Sequence, residues 1–307
     1  MSFYVRVPGT SANIGPGFDS IGIALSLYNE YEVSELESGE QFINIDPQFA
    51  NAEHLMIRSI RYVEDAFGLP HKGILLKAVK EEIPVARGLG SSAAMISAGV
   101  CLANALHGLM LPSIKLLNLV SEIEGHPDNV SPALFGGLTV SCKTEDGYYT
   151  KLLTPDRCFL FAVAIPDFEV PTKEARRLLP VNVPREDAIH NLSRTGLLLG
   201  GLTDGDPDCL RRALSDRLHE PYRKKLIPDF DRVSRFMAER GAIGTVISGA
   251  GPTLLSVFSN PDRETEEKIR RFKRDEALLN QECEAHWVIR FLPVDMDGTS
   301  VVNTDWE

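Results

Sequence analysis

Strand-like and helix-like hydrophobic patterns alternate along the whole chain. "FYVRV" (3–7) and "NEYEVSEL" (29–36) put apolar residues at every second position, the period of a strand with one buried face. "NAEHLMIRSIRYVEDAF" (51–67) spaces them by three and four and runs into Gly68 and Pro70, which predicts an amphipathic helix ending there. "GILLKAV" (73–79) reads as a short apolar strand. Residues 91–106 are mostly Ala, Ser, Ile, Leu, Val and Cys, enough for about four turns of helix, with Gly108 as its stop.

A helix near 112–122 follows, then strands in "GGLTVSCK" and "CFLFAVAIP" and helices in "TKEARRLL" and "EDAIHNLSRTGLLLGGL". A helix ending near Arg240, the strand–turn–strand "AIGTVISGAGPTLLSVF", a charged helix near 264–274 and a last strand in "AHWVIRF" complete the order. The predicted class is α+β, without repeats. "KLLTPDR" interrupts two strand-like runs and predicts a boundary near 150–156, giving units 1–153 and 154–307. The tail after Pro293 is expected to be loosely held.

Composition narrows the setting. The 307 residues are 43% hydrophobic and 24% charged, an ordinary balance for a soluble protein of about two domains. Five scattered cysteines without a C-x-x-C pair argue for a reducing compartment, against a disulfide framework and against a structural zinc site. "MSFYVRVPGT" shows no basic-then-apolar secretory pattern, and no run approaches the roughly 18 apolar residues of a membrane span. The reading is a cytosolic protein with no membrane partner. The net charge of −11 argues against a nucleic-acid surface. It leaves room for a small phosphorylated ligand, because one pocket can be locally positive in an acidic protein.

"ARGLGSSAAM" (86–95) is the strongest local signal. Ser91 or Ser92 stands where an N-cap belongs, and Gly88 and Gly90 allow positive φ and close approach. The stretch predicts unpaired N–H groups at the positive end of a helix dipole, an anion site with phosphate as its usual occupant. A plain glycine turn with a serine cap is the alternative. No Gly-Lys dipeptide occurs, which excludes the P-loop, and neither H-R-D nor D-F-G occurs. The missing third glycine and the absent acidic partner exclude a dinucleotide fingerprint.

Five other segments carry candidate chemistry. "PGTSANIGPGFDSIG" (8–22) surrounds Asn13 and Asp19 with glycines and hydroxyls, as a tight turn or as a rigid loop facing a ligand. "SEIEGHPDNVSPALFGG" (121–137) gathers Glu122, Glu124, His126, Asp128 and Asn129. With one histidine and none at i+4, a carboxylate holding Mg²⁺ beside a phosphate suits it better than zinc. "VPTKEARRLLP" (170–180) predicts a helix capped by Thr172, with Lys173, Arg176 and Arg177 in its first turns, where cations oppose the dipole unless aimed at a carboxylate. "RLHEPYRKKLIPD" (217–229) carries Arg223, Lys224 and Lys225, and "ISGAGPTLLSVF" (247–258) sets Gly249 and Gly251 between apolar strands.

The order "PGTSANIGPGFD", "GLGSSAA", "SGAGPT" resembles the three motifs of the GHMP small-molecule kinases. "SANIGPGFDSIG", "EGHPDNVSPALFGG", "TKEARRLLP" and "EPYRKKLIPD" are similar to the homoserine kinase branch of that superfamily. The resemblance implies an N-terminal domain like the second domain of ribosomal protein S5 and a ferredoxin-like C-terminal domain. It also implies transfer of a phosphoryl group from ATP to L-homoserine, giving O-phospho-L-homoserine for threonine biosynthesis, and a homodimer as the assembly. ATP phosphates would lie over Arg87, Gly88, Leu89, Gly90, Ser91, Ser92 and Ala93, with Gly249 and Gly251 in the third motif. Mg²⁺ would be held by Ser92 and Glu124, with Glu122 as the other choice of glutamate.

Substrate positions carried over are Asn13, Asp19, His126, Asp128, Arg176 and Arg223, with Asn129 and Thr172 near the reacting hydroxyl. The chemistry of the substrate is consistent with that set. Two carboxylates suit an ammonium, two arginines suit a carboxylate, and Asn13, Asn129 and Thr172 are left for the alcohol. Where several relatives in the superfamily have an aspartate near the acceptor hydroxyl, this chain has Asn129, so transfer without a protein base is expected. The competing readings are a GHMP kinase for another small alcohol and a non-catalytic metabolite sensor on the same scaffold. The loose candidate for adenine contacts is 51–58.

Overall fold

The computed structural model describes residues 1–260 and 265–305. The first strand pattern continues past Val7, so β1 (Ser2–Ala12) and β2 (Ile21–Leu36) form a long antiparallel pair whose register shifts between Pro8 and Gly9. β3 (Glu40–Ile43), β4 (Gly73–Glu81), β5 (Leu138–Thr144) and β6 (Gly147–Leu153) extend this sheet. Against it lie α1 (Leu55–Phe67), α2 (Ser91–Leu106), α3 (Ser113–Glu124) and α4 (Pro127–Phe135). α1 and α2 touch closely because α2 is built of small residues. A Cβ on Gly99 would sit 2.5 Å from the Met56 carbonyl oxygen and 2.7 Å from Ser59 Cβ.

The second half builds a four-stranded antiparallel sheet from β7 (Phe159–Pro166), β8 (Ala242–Ile247), β9 (Leu254–Ser259) and β10 (Trp287–Leu292), in the order β10-β7-β9-β8. α9 (Phe230–Glu239) and α10 (Thr265–Glu282) cover it through Phe236, Phe258, Phe272 and Trp287. Glu264, the expected first residue of that last charged helix, lies outside the described residues. Between β7 and β8 the chain forms α5 (Thr172–Arg177), α6 (Arg185–Asp204), α7 (Pro207–Ala213) and the short α8 (Glu220–Arg223). Among the described residues the five cysteines are free, and no helix is long and apolar enough to cross a membrane.

Three local expectations are corrected. The tail after Pro293 is tied down. β11 (Ser300–Asn303) pairs antiparallel with β1, placing the end of the chain on the first sheet, so "AHWVIRF" is not the last strand. Asp295 links its N–H to the Ala24 carbonyl and its own carbonyl to the Gly137 N–H (3.0 and 2.7 Å), which fixes the crossing.

Neither Ser91 nor Ser92 caps α2. Gly90 occupies the N-cap position at φ 71°, and no side chain bonds there. Thr172 is not the cap of α5 either. Pro171 takes that place, and because the helix has only six residues, Arg176 and Arg177 fall in its last turn, where cations match the dipole.

Candidate functional site

The three glycine-bearing segments meet backbone to backbone. Gly88 has φ 75°, and a Cβ there would run into the Ser248 carbonyl and lie 2.8 Å from that of Gly251. Gly90 leaves room for Thr10, whose Oγ1 occupies the space a Cβ would take. Hydrogen bonds join the same pieces. Thr10 N–H donates to the Leu89 carbonyl (3.0 Å), Ser248 Oγ to Ser11 Oγ (2.8 Å) and to the Gly88 carbonyl (2.6 Å), and Gly249 N–H to the Ala12 carbonyl (3.0 Å). Segments more than two hundred residues apart thus form one floor.

Above that floor is a cavity of about 270 Å³. The N-terminus of α2 opens into it at Gly90, Ser91 and Ser92. The first intrahelical bond is Ala94 N–H to the Gly90 carbonyl (2.8 Å), so the N–H groups of 90–93 precede the helical ladder and stand at the positive pole of the dipole. Of the expected phosphate set, Gly88 also lines the cavity, while Leu89 and Ala93 are buried and are not among its lining residues. Arg87 lines the wall, but its guanidinium donates to the carbonyls of Pro166 and Asp167 (2.8 and 3.1 Å) at the end of β7. Gly249 faces the cavity, and Gly251 closes the turn behind it.

The opposite wall carries the charged groups. Ser92 Oγ donates to Glu124 Oε2 (2.7 Å), and burial pushes the Glu124 carboxyl above the usual carboxylate range, only partly countered by that hydrogen bond. Glu122 does not reach the cavity. It is exposed and accepts from the Tyr62 hydroxyl (3.0 Å). Burial lowers His126, but its 2.6 Å contact with Asp128 and the nearby negative charges outweigh that and hold it above its ordinary value. Among the described residues no group of three or more His, Cys, Asp or Glu side chains is gathered to hold a metal.

Asn13 and Asp19 sit on a rigid loop at φ 71° and 52°. Asn13 accepts from the Asp19 N–H (3.0 Å) and donates to the Gly249 carbonyl (2.8 Å). Arg176 forms a two-pronged pair with Asp19 (2.8 and 2.9 Å), and that hydrogen bond holds its guanidinium above its ordinary value. Arg223 is different. It is 2% exposed, NH1 donates to the Gly249 carbonyl (2.9 Å), Nε has no partner, and no carboxylate pairs with it among the described residues. Burial, helped by the positive charge of Arg176, drives its pKa down. Asp19, Asp128 and Asp216 act the other way, but none of them pairs with it directly.

Asn129 and Thr172 complete the lining. Asn129 Oδ1 accepts from Thr10 Oγ1 (2.9 Å), so its amide nitrogen is the pole left for a ligand. A second cavity of about 660 Å³ adjoins the first through Leu55, Val85 and Ser91. Asn51, Glu53, His54 and Leu55 of the 51–58 segment line it, together with Asn29, Tyr31 and Met95. Sequence reasoning missed Thr10 and Ser248, whose hydroxyls flank the recognised glycines, and it missed Phe18 and His219 behind the arginines.

Comparison with known proteins agrees with this architecture. Family models for the GHMP kinases N terminal domain and the GHMP kinases C terminal region match residues 54–137 and 197–275. A homoserine kinase of Clostridium beijerinckii is 37% identical over 97% of this chain and 98% of its own length. One from Caldicellulosiruptor saccharolyticus is 40% identical over 97% and 96%. The crystal structure of a homoserine kinase from Cytophaga hutchinsonii superposes with a TM-score of 0.84 at 29% identity, covering 98% of this chain and 97% of that one. A mevalonate kinase structure shares the fold at a TM-score of 0.66 and 14% identity. The chain belongs to the GHMP kinases, in the homoserine kinase family.

Proposed function

We propose that the protein transfers the γ-phosphoryl group of ATP to the side-chain hydroxyl of L-homoserine. The observation that carries this reading is one cavity that joins the N–H pole of α2 to the buried Arg223, with which no carboxylate pairs directly among the described residues. The helix pole suits phosphate. The guanidinium suits a carboxylate, and Asp128 and Asp19 supply the opposite charge for an ammonium. A sugar or mevalonate would leave these acidic and basic groups jointly unexplained.

In this reading Arg223 is the main carboxylate anchor, because Arg176 already gives both prongs to Asp19. Asn129 and Thr172 orient the hydroxyl. Asn129 donates through its amide nitrogen and cannot take up a proton, so the transfer rests on alignment and charge neutralisation, with the proton leaving on a phosphate oxygen or water. The adjoining cavity would receive the nucleobase and ribose.

Ser92 and Glu124 fit Mg²⁺. They offer one hydroxyl and one buried carboxyl that has no ion-pair partner among the described residues, and Mg²⁺ commonly takes only one or two protein carboxylates. Such an ion would neutralise charge on the transferring phosphates. The experiment is ADP release from ATP and Mg²⁺ with L-homoserine, L-serine, L-threonine, mevalonate and galactose as separate acceptors. Fast release with L-homoserine alone is expected. Release with a sugar or mevalonate instead would overturn the pocket assignment, and no release with any acceptor would favour a sensor.

A further inference from the structure

Phe18 lies in the loop that carries Asn13 and Asp19, and three charged or aromatic groups converge on its ring. The Arg223 Cζ is 5.2 Å from the ring centroid and the Arg176 Cζ is 5.8 Å from it. His219 stacks on the ring with centroids 5.2 Å apart and planes 24° apart. An aromatic face attracts a guanidinium without neutralising it. Arg176 is already paired with Asp19, but a carboxylate placed against Arg223 would cancel the charge that a ligand anion needs. One ring therefore serves as a shared seat for two cations that repel each other.

The seat is rigid. His219 is fully buried and its Nε2 lies 2.9 Å from the Gly15 carbonyl, an acceptor, so this nitrogen carries the proton in the neutral ring. Its backbone N–H donates to Asp216 Oδ2 (2.8 Å). The Pro16 carbonyl accepts from Asn191 Nδ2 and Thr195 Oγ1 of α6 (3.2 and 3.1 Å). Gly17 is packed so tightly that a Cβ would lie 2.6 Å from Ile21 Cβ. The loop backbone is pinned at Gly15, Pro16 and Gly17 before Phe18 and, after it, by the Asp19 N–H, which donates to Asn13 Oδ1 (3.0 Å).

We propose that Phe18, seated on His219, is a positioning residue that fixes the spacing of Arg176 and Arg223 and so sets the preference for an acceptor bearing a carboxylate. This rests on the reading of the cavity as the L-homoserine site. Phe18 acts through the two arginines, which line the acceptor end of the cavity, while the N-terminus of α2 forms the nucleotide end.

The test compares the unaltered protein with Phe18→Leu, which keeps apolar bulk and removes the ring face, and Phe18→Tyr, which keeps the face. Loss of a desolvated cation–π seat corresponds to about 5- to 30-fold in affinity. Phe18→Leu is expected to raise KM for L-homoserine about tenfold and to leave KM for ATP within twofold. Phe18→Tyr is expected to stay within threefold of the unaltered protein for both. The ratio of kcat/KM for L-homoserine over 3-aminopropan-1-ol, the same alcohol without the carboxylate, should fall in Phe18→Leu. That ratio does not depend on the folded fraction of the sample, and Phe18→Met provides a second ring-free variant if Phe18→Leu folds poorly. An unchanged ratio and KM in the ring-free variants would overturn the role of Phe18 while leaving the activity assignment intact. Failure of the unaltered protein to use L-homoserine would overturn the activity assignment and the proposal with it.

Discussion

Replacing Arg223 by methionine should separate binding from stability. The side chain is 2% exposed, and its hydrogen bond from NH1 to the Gly249 carbonyl at 2.9 Å is worth about 1 kcal/mol. Against that loss, burying an ion with no directly paired carboxylate costs several kcal/mol, roughly, and methionine removes that cost while filling a similar volume. Thermal unfolding of Arg223→Met is therefore expected at the same temperature as the unaltered protein or higher. Binding should move the other way. Removing one partner of a buried charge pair costs about 3 kcal/mol at the low end of its range, or about 100-fold in affinity. We expect KM for L-homoserine to rise about 100-fold and KM for ATP to change less than twofold, read by a coupled ADP assay beside a thermal melt. A KM change below about fivefold, or a melting point lower by more than about 5 °C, would show that Arg223 supports the fold and does not anchor a carboxylate.

Glu124→Gln keeps an acceptor for Ser92 and removes the charge. The Mg²⁺ concentration for half-maximal rate should rise at least about tenfold, with KM for L-homoserine within threefold, and an unchanged Mg²⁺ titration would remove Glu124 from the metal site. Asn129→Asp loses the amide donor and adds a negative charge beside Asp128. Turnover is expected to fall about tenfold or more, and a higher turnover would refute transfer without a base. Glu220 accepts from the Ile247 N–H (2.6 Å), and burial pushes its carboxyl up to about 8. Between the ordinary carboxylate range and about pH 8 the folded state holds a proton that the unfolded state has released, so stability declines as pH rises through that window. Glu220→Gln should remove this slope, seen as a melting-temperature gain over the unaltered protein that grows from pH 5 to pH 8, and an equal gain at both pH values would contradict it.

Much of the site was readable because its chemistry sits in short runs. "GLGSS" marked the α2 terminus, and the acidic run marked Glu124, His126 and Asp128. Between Glu122 and Glu124 the sequence left the choice open, since two positions along a helix turns the side chain by most of half a circle and only the packing shows which one faces Ser92. The serine cap was misread because a left-handed glycine can end a helix start as well as a hydroxyl can. Thr172 was misread because Pro171 already supplies the extended backbone that a cap needs.

Other features were invisible for a different reason. Nothing near Gly88 or Gly90 says that Ser248 and Thr10 will press against them, because those contacts cross much of the chain. Phe18 is a single aromatic in a loop, and its two guanidinium neighbours come from the distant α5 and α8. β11 could have been recognised. "SVVN" follows a glycine at φ 74° and carries two adjacent β-branched residues, but four residues form a strand only when an edge such as β1 is there to receive them.

The most direct measurement is phosphorus-31 NMR of the protein incubated with ATP, Mg²⁺ and L-homoserine. The account predicts loss of the γ-phosphate signal and growth of a phosphomonoester resonance split by two protons on the adjacent carbon, one equivalent per ADP formed. Growth of inorganic phosphate alone, at the same rate with and without L-homoserine, would contradict it.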